Sequence, residues 1–267
     1  MTGHVDHRRS VTSTQDVLRT LTRAPHLTTI RADLQTRGRG RLGRTWESGA
    51  GRSLMASTLL VLPDTPALRD CGGFLTLIGA LSVRAALATL HAPAQVKFPN
   101  DVVIGGRKIS GVLGEFFADM SQLRGRLCAA IGVGVNVYQE GAELVEDATS
   151  LADAGLLPDA ADPAGLILDR YLAELEARVS AFAADPAAPA TAPVIGDINA
   201  HLAQRGQRVS VAGRTGVVSE VGPRGELVLT DAAPTPAGGP AGRPTSRVYP
   251  HEVAMFIEHN SQKKGPQ

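Results

Sequence analysis

Between residues 37 and 44, four arginines alternate with three glycines: Arg37-Gly38-Arg39-Gly40-Arg41-Leu42-Gly43-Arg44. Glycine lets a backbone wrap closely around a ligand. A guanidinium is a planar fork that matches carboxylate and phosphate oxygens. The stretch has no apolar periodicity and reads as a loop over 36–45. It contains the spacing G-x-G-x-x-G, but that dinucleotide fingerprint needs a helix directly after the glycines. Thr45-Trp46-Glu47-Ser48-Gly49-Ala50-Gly51 is a poor helix opening, and arginines hold the variable positions, so the Rossmann reading fails. A Walker A run, G-x-x-x-x-G-K-S/T, is absent. What remains is a basic loop whose like charges repel when it is empty and which should order around an anion.

Further on, Lys97-Phe98-Pro99-Asn100-Asp101 follows a strand and reads as turn chemistry. Arg107-Lys108-Ile109-Ser110-Gly111 places a lysine where a strand starts, and Gly111 permits close backbone approach, which suits a phosphate or carboxylate contact. Gly132-Val133-Gly134-Val135-Asn136 puts two glycines inside a strand. That pattern often marks a ligand lying on the sheet, but on these residues alone tight packing against a helix is the better reading.

The elements that must position these groups follow from periodicity. Hydroxyls at Thr12, Ser13 and Thr14 precede the helical spacing Val17, Leu18, Leu21. Strands are expected over 27–32, 53–62, 95–98, 109–117 and 127–137, the second ending at Pro63. Long helices are expected over 68–90 and 166–182, the latter with Ile167, Tyr171, Leu175 and Val179 on one stripe. The Ala/Pro-rich run 183–193 reads as a surface loop. Short β segments then follow at 208–211, 215–221, 227–230, 247–249 and 254–257, with a Pro/Gly-rich hairpin insertion at 232–245. The expected fold class is α+β: a mixed sheet with helices on one face, plus a small C-terminal five-stranded SH3-like barrel. The expected division is a catalytic domain over 1–204, the β domain over 205–260 and a disordered tail over 261–267.

Composition narrows the function classes. Apolar residues make up 43% of the 267, enough for a large core, yet no apolar run reaches the ~18 residues of a membrane span. The first ten residues are polar, with no apolar segment of a secretory leader, so a cytoplasmic location is expected. Lys plus Arg is 27 against 26 for Asp plus Glu, a balance that argues against a general nucleic-acid binder. Cys71 and Cys128 lie in apolar segments and read as buried free thiols. His4 and His7 sit near a mobile polar terminus with no Cys or carboxylate cluster to complete a metal site, and read as solvated.

Taken together and in this order, the motifs resemble the biotin–protein ligase family, from Ser13-Thr14 to about Leu151 and more weakly through the C-terminal segment. The family's G-R-G-R-x-G-R-x-W loop is met by Gly38 to Trp46, with its Gln at Gln35. K-W-P-N-D appears as Lys97 to Asp101 with Phe98 for Trp, R-K-x-x-G as Arg107, Lys108 and Gly111, and G-x-G-x-N as Gly132, Gly134 and Asn136. The family's S-T-N appears with Gln15 for Asn. The resemblance implies a class II aminoacyl-tRNA synthetase-like fold and an enzyme that activates biotin with Mg2+-ATP, then passes it to a lysine of a biotin carboxyl carrier domain.

It implies that Ser13, Thr14 and Gln35 bind the biotin ring and that Gly38, Arg39 and Gly111 close around it. Arg41, Arg44, Trp46, Asn100 and Asn136 would hold the nucleotide. Lys108 would bridge the biotin carboxylate and the α-phosphate, and Asp101 would meet the acceptor lysine. No protein-held metal and no membrane partner is expected; no DNA partner is expected either, since only twelve residues precede Ser13, too few for a helix-turn-helix. The chain is expected as a monomer or homodimer. Two alternatives stand beside this reading: a lipoate or octanoate ligase of the same superfamily, and a nucleotide- or biotin-binding regulator without transfer activity.

Overall fold

The computed structural model describes residues 4–21, 24–70, 72–117, 125–184, 191–230 and 245–250. Their order is β1 (Val5–Val11), α1 (Thr14–Thr20), β2 (Thr29–Gln35), β3 (Ser53–Pro63), α2 (Pro66–Asp70), α3 (Phe74–Ala88), β4 (Ala94–Lys97), β5 (Asp101–Ile104), β6 (Arg107–Phe116), β7 (Arg126–Asn136), α4 (Pro163–Ala184), α5 (Thr191–Ala200), β8 (Arg208–Val211), β9 (Arg214–Val221), β10 (Leu227–Thr230) and β11 (Thr245–Val248). β3 and β7 are buried at almost every position, so both of their faces need cover. They pair antiparallel over their full length and form the middle of a seven-stranded sheet, β1-β2-β3-β7-β6-β5-β4. β1 and β2 are its one parallel pair, which makes the sheet mixed.

Alternation along β3 sends Leu54, Ala56, Leu60 and Leu62 to one face and Leu59 and Val61 to the other. The long helices cover the first face. α3 is buried on nearly all sides, while α4 offers one stripe of Ile167, Tyr171, Leu175, Val179 and Phe182. The short α1 takes the opposite face, where Leu18 packs with Ile30, Leu59, Cys128 and Ala130. The second sheet, β11-β10-β9-β8, is antiparallel, and its Val211, Val218, Leu227 and Leu229 join the same core as α3.

Several local expectations change. The polar start is an edge strand: β1 pairs with β2 from Val5↔Thr29 to Val11↔Gln35, and His7 Nε2 lies 2.7 Å from Asp33 Oδ1. Its charges face outward at the sheet edge, which hid the alternation. The expected helix 68–90 is two helices, α2 ending at Asp70 and α3 starting at Phe74, and between them Gly72 packs where a Cβ would overlap the Phe116 ring. Asp101, read with Asn100 as turn chemistry, instead opens the strand Asp101–Ile104, which forms a hairpin with β6 through Gly105 and Gly106, both at positive φ. Residues 191–200, partly assigned to a loop, are helical. Cys128 is buried, and burial pushes its thiol pKa up, so it stays protonated. Cys71, most of the hairpin insertion 232–245, the strand expected at 254–257 and the tail 261–267 lie outside the described residues.

α4 is held to the sheet by Asp162. Its carboxylate accepts from Gly165 N at 2.9 Å, an N-cap bond ahead of Pro163, and from Arg31 of β2 at 2.6 and 2.8 Å. The Arg31 guanidinium holds this carboxyl down at about 2. Asp162→Ala should cost about 1–2 kcal/mol in urea unfolding. A lowered folded pKa stabilises above the unfolded value of ~3.9 and ceases to as pH falls through the folded one. The gap between wild type and variant should therefore be full near neutrality and close as pH falls from about 4 toward 2.

Candidate functional site

On the α1 face, β6 and β7 present a strip bare of side chains at Gly111, Gly132 and Gly134. Gly111 lies opposite Gly134, and Leu113 opposite Gly132. A Cβ on Gly134 would overlap the Trp46 indole, and a Cβ on Gly132 would overlap the Gln15 amide. These glycines are required by close approach from above. The strip floors a cavity of about 610 Å³, a size suited to a small molecule.

One end of the cavity is polar and buried. Thr14 N and Oγ1 both donate to Gln35 Oε1, at 2.8 and 3.1 Å, and Thr14 Oγ1 shares a 2.8 Å bond with Ser57 Oγ. Ser13 occupies the N-cap of α1 without making a side-chain cap bond, and its side chain lines the cavity. The mutual bonding of Thr14 and Gln35 fixes the end of β2 against the start of α1, which is why the two motifs, far apart in sequence, meet here.

Farther along, Lys108 is held from its backbone. Its N–H donates to Asp147 O at 2.7 Å, and its carbonyl accepts from Thr149 N at 2.8 Å. That segment is tied down in turn. Asn136 Nδ2 donates to Thr149 O at 3.0 Å, Gln139 Nε2 donates to Asn136 Oδ1 at 3.3 Å, and Ser150 Oγ donates to Gln139 O at 2.6 Å. The Lys108 ammonium lies 2.7 Å from Asp101 Oδ1 and 5.9 Å from the Trp46 ring centroid. Asn100 brackets the same corner: Nδ2 donates to Val112 O at 3.0 Å, and Oδ1 accepts from Arg41 at 2.8 Å.

The arginine–glycine segment forms a hairpin over this floor. Gly40 N donates to Arg44 O at 2.7 Å and Trp46 N to Gly38 O at 3.0 Å, around a 3-10 turn with Leu42 at φ 62°. The expected self-repulsion is met by partners from elsewhere in the chain. Arg39 reaches Asp16 at 3.1 Å and Glu115 at 2.6 Å, and Arg41 also donates to Pro250 O at 2.6 Å. Burial lowers the Arg41 pKa, and the nearby Asp101 charge opposes that shift. Beyond the hairpin, Val209, Val211 and Leu227 of the second sheet form a wall beside Phe98, whose N–H donates to Gln204 Oε1 at 2.7 Å.

Ser13, Thr14, Gln35, Arg39, Arg41 and Arg44 thus meet Trp46, Asn100, Asp101, Lys108, Gly111 and Asn136 around one cavity. Gly38 does not line it; its Cα packs against the Trp46 carbonyl within the hairpin. Asn136 lines it with an amide already engaged on both sides. Sequence reasoning missed Ser57, Gln139, Asp16, Glu115 and the segment 147–150. The four single residues are isolated polar side chains and 147–150 acts largely through its backbone, so no local pattern marks them. Among the described residues no group of three or more His, Cys, Asp or Glu side chains could hold a metal ion.

Comparison with known proteins adds relatives. Residues 8–136 match the model of the biotin/lipoate A/B protein ligase family. The chain is 35% identical over 174 residues to the bifunctional ligase/repressor BirA of Bacillus spizizenii, covering 62% of this chain and 51% of the relative. It is 38% identical over 152 residues to the biotin–[acetyl-CoA-carboxylase] ligase of Mycobacterium tuberculosis, covering 55% and 52%. It thus spans about half the length of the curated relatives it matches. A solved structure, the biotin protein ligase of Aquifex aeolicus in complex with biotin and ATP, superposes with a TM-score of 0.71 at 27% identity, covering 93% of this chain and 96% of that one.

Trp46 is the one tryptophan of the chain, so its emission reports the floor directly. Gly134→Ala should drive the indole off the strip, with a red-shifted emission maximum and little change in far-UV circular dichroism. An unshifted maximum would mean that the ring does not rest there.

Proposed function

We propose that this chain, in which residues 8–136 form a domain of the biotin/lipoate A/B protein ligase family, is an ATP-dependent biotin–protein ligase. It activates biotin as biotinyl-5′-AMP with release of pyrophosphate and transfers it to a lysine of a biotin carboxyl carrier domain. The observation that carries the reading is the clamped Lys108, its ammonium over the glycine floor and beside the hairpin arginines, in a cavity with a buried polar end. The Aquifex aeolicus relative, described with biotin and ATP, supports both ligands.

In the first step a biotin carboxylate oxygen attacks the α-phosphorus of ATP, the α–β bridging bond breaks, and pyrophosphate leaves. Both reactants are anions, so positioning and charge neutralisation dominate. Lys108, Arg41 and Arg44 supply the positive charge. Ser13, Thr14 and Gln35 hold the ureido ring, and Arg39 with Gly38 and Gly111 lets the hairpin close over it. Trp46, Asn100 and Asn136 face the nucleotide. Mg2+ enters with ATP, bound to its phosphates as part of the substrate, and offsets their charge. In the second step the acceptor amine attacks the acyl carbon, the bond to the phosphate oxygen breaks, and AMP leaves with the electron pair. Asp101 orients the amine and takes a proton from it. The second sheet braces the acceptor side through Phe98 and Gln204. We place this reaction in the cytoplasm, with the protein a monomer or homodimer.

A lipoate ligase would need the same activation chemistry. The complete arginine–glycine hairpin and Lys108 beyond Asp101 favour biotin. Incubation with ATP, biotin and a carrier domain should raise the carrier's intact mass by one biotinyl group, while lipoate should leave it unmodified. Lys108→Ala should slow pyrophosphate release by roughly 10²–10³-fold with the far-UV spectrum unchanged. Release within a fewfold of wild type would remove Lys108 from its proposed role.

A further inference from the structure

The ion pair between Lys108 and Asp101 has a consequence for the order of the two steps. Asp101 Oδ1 is buried and accepts no hydrogen bond from another described group, so Lys108, 2.7 Å away, is its close cation among the described residues. Two other positive groups face this corner. Arg41 is engaged by Asn100 and the Pro250 carbonyl. Lys97 lies opposite Asp101 in the β4–β5 register with its side chain exposed. In the proposed reaction, which this inference rests on, Lys108 is also the cation for the biotin carboxylate and the α-phosphate. One ammonium cannot serve the Asp101 carboxylate, one oxygen of which is buried, and two incoming anions equally. A part-buried carboxylate whose cation turns away is open to another cation.

We propose that Asp101 and Lys108 form an electrostatic interlock. In the empty site Lys108 occupies Asp101 and keeps the acceptor's ammonium away. When the adenylate forms, Lys108 turns to the anionic phosphate, and Asp101 becomes the place where the acceptor lysine docks. The ammonium gives one proton to Asp101 and so becomes nucleophilic. A second proton leaves to solvent as the amide forms and AMP departs with the electron pair of the broken acyl–phosphate bond. The backbone clamp by Asp147 and Thr149 suits this exchange, because it fixes the root of the Lys108 side chain while its end selects between partners.

The test uses the full chain and two forms of a carrier domain, one with the target lysine and one with methionine in its place. Their affinities are compared on the empty enzyme and on enzyme loaded with a non-hydrolysable sulfamoyl analogue of biotinyl-adenylate. The lysine should add about tenfold or more to binding on the loaded enzyme and less than about twofold on the empty one. Lys108→Met should show the lysine's contribution already when empty, and Asp101→Asn should lose it when loaded. An equal contribution in both states of the wild type, or no gain in empty Lys108→Met, overturns the interlock. Where carrier binding is too weak to measure, single-turnover transfer from synthetic biotinyl-adenylate decides. Lys108→Met should then transfer far faster than Asp101→Asn, and equal rates overturn the proposal. Intact-mass biotinylation by the wild type separates the two readings: its absence defeats the ligase function, whereas its presence with no state-dependent lysine effect defeats the interlock alone.

Discussion

The Lys108 ammonium is anchored from its own main chain outward. A flexible four-carbon stem is a poor way to fix a charge, because its rotamer freedom must be lost each time it is used. Here the root of that stem sits in β6 between Val103 of β5 on one side and Asp147 and Thr149 on the other. Asn136, Gln139 and Ser150 hold the second side in place with buried hydrogen bonds. Such a network stabilises one geometry strongly because each member would be costly to leave unbonded in the interior. The rest of the site is arranged around this anchored lysine, from the polar pocket at Thr14 to the hairpin that folds over it.

The glycine floor is the complementary constraint. A sheet normally sends a side chain toward the ligand at every second residue. At Gly111, Gly132 and Gly134 it sends none, and Trp46 and Gln15 come down into the space. The floor depends on register: a one-residue slip between β6 and β7 would separate the glycines and put valines beneath the indole. The long antiparallel pairing of β3 with β7, whose other face is sealed by α3 and α4, prevents that slip. The core thus acts on the site through strand register.

Much of the frame was legible because its signals are local. Continuous apolar runs marked β3 and β7, a single stripe marked α4, and Gly105-Gly106 marked the turn into β6. β1 and β5 were missed for opposite reasons. The outward charges of Asp6, Arg8 and Arg9 obscure an edge strand. The four-residue β5 begins at Asp101, directly after Asn100, and the Asn-Asp pair resembles a turn until the hairpin partner is seen. The break between α2 and α3 falls at Gly72-Gly73, inside an apolar spacing that reads as one helix.

By itself, the sequence determined which chemical groups this protein carries and the local backbone each prefers: a hairpin of arginines freed by glycine, a lysine at a strand start, two glycines within a buried strand. These depend on residue type and near neighbours, so they can be read along the chain. Only the tertiary structure decided what each group faces. It turned Asp16 and Glu115 toward Arg39, set Asp101 against Lys108, and put Asn136 to holding a segment that begins eleven residues later. The physical reason is that Coulomb and hydrogen-bond partners act over a few ångströms in space and are indifferent to separation along the chain.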